Sequence, residues 1–214
     1  MQIKYLTYLK SVLFSVLFLT LPFALMEQFI FQEASSTEDK IIFGCVGIIL
    51  GLIETFLLLI ILGHGIKKYS DPNTINLGKY YKKHLRDLII ETFRGMGRIA
   101  VGFLLIWPGI KRCIQYYLIP YIVQFDSDYQ EGKVDVLEES ALLLEGRLSR
   151  FAAILCLTQM VMLGIQIASV NFNLFTTPVA WILFYILEVT LQVCVFLMFY
   201  KYYLALSNAR CGEH

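Results

Sequence analysis

Charge is scarce in this chain. Only 16% of its 214 residues are Asp, Glu, Lys or Arg, where an ordinary soluble domain carries about 25%. A fully solvated surface is excluded for most of the length. Net charge is also missing: the formal value is +1. That gives no global attraction to nucleic acid, and no zinc finger or aromatic RNA-binding signature is present, so no nucleic-acid partner is expected. Paired cysteines are absent as well. Cys45, Cys113, Cys156, Cys194 and Cys211 form no C-x-x-C spacing and read as small apolar packing residues. His64, His84 and His214 lack a ligand spacing such as H-E-x-x-H. No metal and no cofactor is expected. Ser11, Ser15, Ser169, Cys156 and His64 make no nucleophile–base pattern, so no catalytic residue is nominated. A filter-like backbone repeat is also lacking, which removes the usual sign of a channel.

What fills the chain is apolar. Hydrophobic residues make up 57%, with 16 Phe and 13 Tyr, as suits lipid-facing bulk and interfacial rings. Lys4 and Lys10 precede the run Ser11–Leu21, which mimics a signal peptide. No small-x-small cleavage site follows, and the run continues through Pro22 to Met26. It reads as an uncleaved first span, about Ser11–Phe31, with Pro22 positioned to bend it. Three further spans follow: Ile41–Leu62, Phe151–Val170 and Val179–Tyr200. Each is close to the roughly 20 residues that a crossing helix needs.

Glu54 and Glu188 interrupt two of these runs. A carboxylate in lipid is costly, so each is expected to face protein, water or a partner. Gly47 and Gly51 share one face of the second span and Glu54 lies three residues further on, near that face. Gln192 falls four residues after Glu188, on the same side of the last span. Glu54, Glu188 and Gln192 are therefore the candidate polar seam. The plainer reading is a structural ion pair, or a protonated glutamate hydrogen-bonded across helices.

Residues 63–98 carry eight bases and three acids, whereas Gln32–Lys40 carries three acids and one lysine. The positive-inside rule places the basic connector in the cytoplasm and the first link outside. Within the connector, Leu77, Tyr81, Leu85, Leu88 and Thr92 recur at helical spacing among lysines, as in an amphipathic interfacial helix. A second such stretch lies in Asp126–Arg150, with Leu137, Ala141, Leu144 and Leu148 on one face. Arg94, Arg98, Lys111 and Arg112 are candidates for an anionic headgroup or an ion pair, because guanidinium matches phosphate geometry. Positive-inside anchoring is the plainer account of the same four.

The middle admits two readings. Ile99–Val123 as one helix would be about 37 Å long, at roughly 1.5 Å per residue. It would put Pro108, Lys111 and Arg112 near the bilayer centre, which is unfavourable. Broken at the hinge Pro108-Gly109, the two pieces are each too short for an upright span and suit a shielded hairpin. The tail bases Lys201 and Arg210 favour the hairpin, because both chain ends then lie in the cytoplasm.

The stretch Leu104–Ile110 with Trp107-Pro108-Gly109, then Arg112, Tyr116, Tyr117 and Pro120-Tyr121-Ile122-Val123, then Val136–Ser140 and Leu142–Arg147, resembles a bacterial inner-membrane family. That family comprises YciC-like proteins and the membrane domains attached to glycerophosphodiester phosphodiesterases. Trp107 and Val136 depart from its usual Ile and Ala. The likeness covers residues 103–150 and implies a location in the inner membrane and about six hydrophobic segments. It implies no hydrolytic activity, because the phosphodiesterase barrel of some relatives has no counterpart here.

The expected fold is all-α: a single transmembrane domain over residues 1–214, a polytopic helical membrane protein. It has four full spans plus a Pro-Gly-broken hairpin or kinked fifth span, and two amphipathic interfacial helices. Two functions compete. One is a small transporter or lipid-handling protein with a polar seam between helices. The other is a non-catalytic membrane scaffold or assembly protein of the cell envelope. Membrane lipids are the expected partners, with a second copy or another membrane protein as further possibilities.

Overall fold

A computed structural model describes residues 16, 21–22, 37–70, 76–171 and 178–211. Among these the chain is all-helical, with no strand. The expected first span lies outside the described residues, apart from positions 16, 21 and 22. The chain divides into two compact units, Met1–Leu85 and Arg86–His214.

Helix α1 runs Thr37–Ser70 and helix α2 runs Leu77–Gly102. The first unit holds α1 and the start of α2. Lys67 and Lys68 occupy the last turn of α1, where positive charge matches the helix dipole. Tyr80 and His84 of α2 are buried, as are Ile60, Ile61, Leu62 and Ile66 of α1. A Cβ on Gly51 would meet nothing within 4 Å. The close backbone approach expected at that glycine is therefore not made by any described residue.

The second unit begins within α2 and continues through a 3-10 turn at Phe103–Leu105, α3 (Trp107–Gln115) and a second 3-10 turn at Tyr116–Leu118. Next come α4 (Ile119–Phe125), α5 (Ser127–Gln130) and α6 (Val136–Leu143). Two long helices close it, α7 (Leu148–Asn171) and α8 (Pro178–Cys211). Pro108 and Pro120 each stand second in their helices, where a missing N–H costs nothing. Asp126 caps α5 by accepting from the N–H groups of Asp128 (2.8 Å) and Tyr129 (3.1 Å). Asp135 caps α6 through Leu137 N (2.9 Å) and Glu138 N (3.3 Å).

Helix α4 forms the core of this unit. Leu118, Ile119, Tyr121, Ile122 and Val123 are buried, and so are Val136, Leu137, Leu143 and Leu144 from the α6 region. From α8 come Val193, Phe196, Phe199 and Tyr203. Aromatic rings bind the layers. Tyr121 stacks on Phe196 at 4.9 Å, Tyr117 meets Phe199 at 4.8 Å, and Phe151 meets Phe199 at 5.3 Å. Such pairs add roughly 0.5–1.5 kcal/mol each beyond area burial. The Tyr121 hydroxyl also donates to the Phe196 carbonyl at 3.3 Å. Gly95 of α2 admits this core, because Ile119 Cδ1 lies 3.0 Å from where its Cβ would stand.

Three helices are long and apolar enough to cross a membrane among the described residues: Ile49–Ser70, Leu148–Ile165 and Ile182–Ala209. The last runs unbroken because residues 179–211 contain neither Gly nor Pro. Many large apolar side chains of α7 and α8 are exposed, among them Leu157, Met160, Val179 and Leu183. Such a surface is compatible with a helix that crosses a membrane.

The expected interfacial stretch in Asp126–Arg150 is shorter than its periodicity suggests. Helix α6 stops at Leu143, and Gly146, at φ +70°, turns the chain into α7. Its burial also differs. Leu137 and Leu144 are buried as expected, but so are Glu139 and Ser140. The Ser140 hydroxyl donates to the Gln115 carbonyl across to α3, which satisfies a buried polar group.

Candidate functional site

Helix α2 ends where its backbone meets α3. A Cβ on Gly102 would stand 3.0 Å from Gly109 Cα and N, and a Cβ on Gly109 would stand 2.7 Å from Phe103 N. Only two glycines let the arms approach so closely. The reversal is completed at Ile106, whose φ of +52° is unusual for a β-branched residue. Its N–H reaches back to the Phe103 carbonyl at 3.1 Å. The chain thus breaks just before the Pro108-Gly109 hinge, and the hinge residues open the returning helix.

The tip of this helical hairpin is apolar and bare. Leu104 is 81% exposed, Leu105 76% and Trp107 72%, and Val101, Phe103, Ile106 and Ile110 are exposed too. Behind the tip sit the cations. The Arg112 guanidinium donates to the Arg98 carbonyl at 2.8 Å, which draws the second arm onto the first. The Lys111 and Arg98 side chains are exposed beside it. Three of the four candidate headgroup residues are therefore gathered at one end of the hairpin.

Arg94 is used differently. It pairs with Glu91 at 2.9 Å and with Asp135, the α6 cap. Tyr129 joins this cluster. Its hydroxyl is pushed up to about 12, first by burial, then by the Glu91 and Asp87 carboxylates and its hydrogen bond to Glu91, with Arg94 opposing. This network ties α2 to α6 and leaves Arg94 outside the exposed cation group. On the surface, Lys133 pairs with Glu131 at 2.5 Å and Asp128 at 3.7 Å, and these partners raise its pKa.

The polar seam is divided between the units. Glu54 lies half-buried on α1, in the first, and Glu188 and Gln192 lie half-buried on α8, in the second. Neither carboxylate is without a partner. Glu188 and Gln192 share one side of α8 by spacing, next to the buried Val189 and Val193. Gln159, another polar group at span depth, is exposed on α7.

Sequence reasoning missed one cluster. In the first unit, Tyr80 is wedged between His64 (5.3 Å) and His84 (4.3 Å), and the Lys67 ammonium lies 5.7 Å from its ring centre. A sequence signal was available. Tyr80 and His84 are four apart, and Ser70-Asp71-Pro72-Asn73 carries turn residues between the two helical runs. Among the described residues no group of three His, Cys, Asp or Glu is arranged to hold a metal ion. No family model, curated protein or solved structure matches the chain.

Proposed function

We propose that the protein is an inner-membrane, multi-pass lipid-handling protein whose α2–α3 hairpin enters one leaflet and holds anionic headgroups. The observation that carries this reading is the bare apolar tip with its cations set behind it. Lys111 lies four residues past Trp107, about 6 Å along a helix, and Arg98 lies a similar rise before Phe103. An apolar tip immersed about 5–10 Å below the headgroups would leave Arg98, Lys111 and Arg112 at phosphate depth. The hairpin shields its own broken backbone, because Ile106 N–H and the Arg98 carbonyl both have partners.

The topology belongs to the same proposal. The first span expected from the sequence, taken with the three long helices and the hairpin, would make four crossings with both chain ends in the cytoplasm. Helix α2 and the α6 region then serve as the two interfacial amphipathic helices. Membership of the YciC-like family is part of it too. It is supported by the positions of Pro108, Pro120, Ser140 and Gly146 at a hinge, a helix start, a buried hydroxyl bond and a positive-φ turn. A scaffold role is the second reading, favoured by the closely packed aromatic core around α4. It needs no headgroup selectivity.

The test uses the full chain with Trp181→Phe, which leaves Trp107 as the only tryptophan. In vesicles of brominated lipid, Trp107 is expected to be quenched best by bromine placed high on the acyl chain. A triple variant, Arg98→Gln, Lys111→Gln and Arg112→Gln, should retain several-fold less co-purified anionic lipid at unchanged total lipid. Unquenched Trp107 would overturn the hairpin placement. Unchanged lipid composition would leave the scaffold reading in its place.

A further inference from the structure

We infer that a second copy of this chain docks on the exposed side of α7, with Gln159 of each copy hydrogen-bonded to Gln159 of the other. The inference rests on α7 crossing a membrane and not on the hairpin or its cations. Helix α7 carries the least covered of the three apolar stretches. Only 6% of Leu148–Ile165 is buried, against 39% for Ile49–Ser70 and 33% for Ile182–Ala209. Phe151 anchors one side of α7 against Tyr117 and Phe199. Cys156, Gln159 and Leu163, on another side, are exposed.

Contact with lipid accounts for an exposed apolar face but not for Gln159. It stands eleven residues after Leu148, about 16 Å along the helix and near the middle of a hydrocarbon core of about 30 Å. A primary amide carries two N–H donors and an acceptor oxygen, and acyl chains offer them nothing. The threonines of the three stretches meet the same need locally. Thr55, Thr158 and Thr190 each donate to the carbonyl four residues back, at 2.8, 3.0 and 2.7 Å. Glu54 and Glu188 have partners as well, whereas the Gln159 amide makes no hydrogen bond to any described residue. A second copy supplies what is missing. Copies inserted in the same direction bring equal residues to equal depth, and a primary amide is complementary to itself, each NH2 donating to the other's carbonyl. The spacing agrees. Ala152, Cys156, Gln159 and Leu163 are four, three and four residues apart, as in the seam of a left-handed helix pair, and the sequence extends it to Gln166 and Val170. Ala152 and Cys156 are small enough for two helix backbones to approach there.

The experiment uses the full chain with Cys45, Cys113, Cys194 and Cys211 replaced by Ala, which leaves Cys156 as its one cysteine. In phosphatidylcholine vesicles at a high lipid-to-protein ratio, copper phenanthroline is expected to join Cys156 to Cys156 in a covalent dimer. With Cys156→Ala added, Leu163→Cys should link as well. Leu157→Cys and Val161→Cys, on another side of the helix, should link several-fold less. Gln159→Leu should weaken association roughly three- to thirtyfold, the range of interhelical side-chain hydrogen bonds in membranes. Energy transfer between donor- and acceptor-labelled chains, followed as lipid is added, reads that loss. Gln159→Asn keeps the amide and should retain most of the association. The triple hairpin variant should associate like the natural chain, so pairing and headgroup binding are read separately. Equal linking from all four positions would overturn the inference, and so would association indifferent to Gln159→Leu. No linking from Cys156 or Leu163→Cys, as when another segment of the same chain covers Gln159, would overturn it too. If Gln159→Leu lowers the yield of folded chain, the cysteine pattern decides alone.

Discussion

Gly109→Ala should damage the hairpin far more than the same change at Gly97, although both glycines lie in helices of the same unit. The difference comes from what the new methyl meets. At Gly109 a Cβ would stand 2.7 Å from Phe103 N and 2.7 Å from a carbon of the Phe103 ring, whereas at Gly97 nothing lies within 4 Å. The ring can move, but the backbone nitrogen cannot without prying α3 from α2. Overpacking of this kind costs typically 1–3 kcal/mol and occasionally more. Alanine returns up to about 1 kcal/mol of helix propensity at either position. Gly109→Ala is therefore expected to destabilise by about 1–2 kcal/mol net and Gly97→Ala to stabilise by about 0.5–1 kcal/mol. Reversible unfolding of both variants in the same detergent, followed by circular dichroism, measures the gap. Equal stability of the two would show that the arms do not meet at Gly102 and Gly109, and the hairpin geometry would fall with that contact.

Three further outcomes follow from the second unit. Asp135→Ala should destabilise by roughly 1–2 kcal/mol through loss of the α6 cap, while Asp135→Asn keeps the cap and should cost less than about 1 kcal/mol, because the Arg94 pair is partly solvated. Denaturant titration of the two variants checks the order, and equal losses would mean that the ion pair dominates. Tyr129 binds its proton more tightly folded than unfolded, so its contribution is complete below pH about 10 and is lost as pH rises to about 12. The stability difference between the natural chain and Tyr129→Phe should narrow over that window, as read from melting curves at stepped pH. Ile106→Gly releases a positive-φ strain of roughly 1–3 kcal/mol and gives back about 0.5–1 kcal/mol in chain entropy. It should leave stability unchanged or improved, and Trp107 quenching should be kept. A clear loss of stability would mean that the Ile106 side chain, not its backbone, holds the tip.

Much of the fold was legible because the solvent imposes it. A helix is the cheapest way to satisfy a backbone in lipid, so long apolar runs announce themselves, and α7 and α8 fall where Phe151–Val170 and Val179–Tyr200 were read. The break near Pro108 was legible for a similar reason, since proline, glycine and two adjacent bases fit poorly at mid-membrane. Its position was less so. The reversal falls on Ile106, a β-branched residue that no propensity would choose for a positive φ. What forces it there is the glycine contact between Gly102 and Gly109, and that is a tertiary fact. The α6 region was misjudged in extent for a related cause. Leucines at helical spacing continue past Leu144, but the turn at Gly146 ends the helix, and periodicity does not register a turn that lies between two in-phase leucines.

The candidate site was legible as residue types and not as groupings. Arg94, Arg98, Lys111 and Arg112 look alike in the sequence, four cations at the edge of an apolar run. The fold separates them by what they can reach. Arg94 meets Glu91 and Asp135, so its charge is spent inside the protein. Arg112 meets a carbonyl, which takes only part of its guanidinium and pins it beside Arg98 and Lys111 at the exposed end of the hairpin. The same logic explains the ring cluster of the first unit. His64, Lys67, Tyr80 and His84 carry no motif, because their approach depends on two helices meeting. A cation's partner is decided by geometry across the chain, whereas its presence is decided along it. That is why the bare tip and the cations behind it, rather than any spacing, carry the functional reading proposed for this chain.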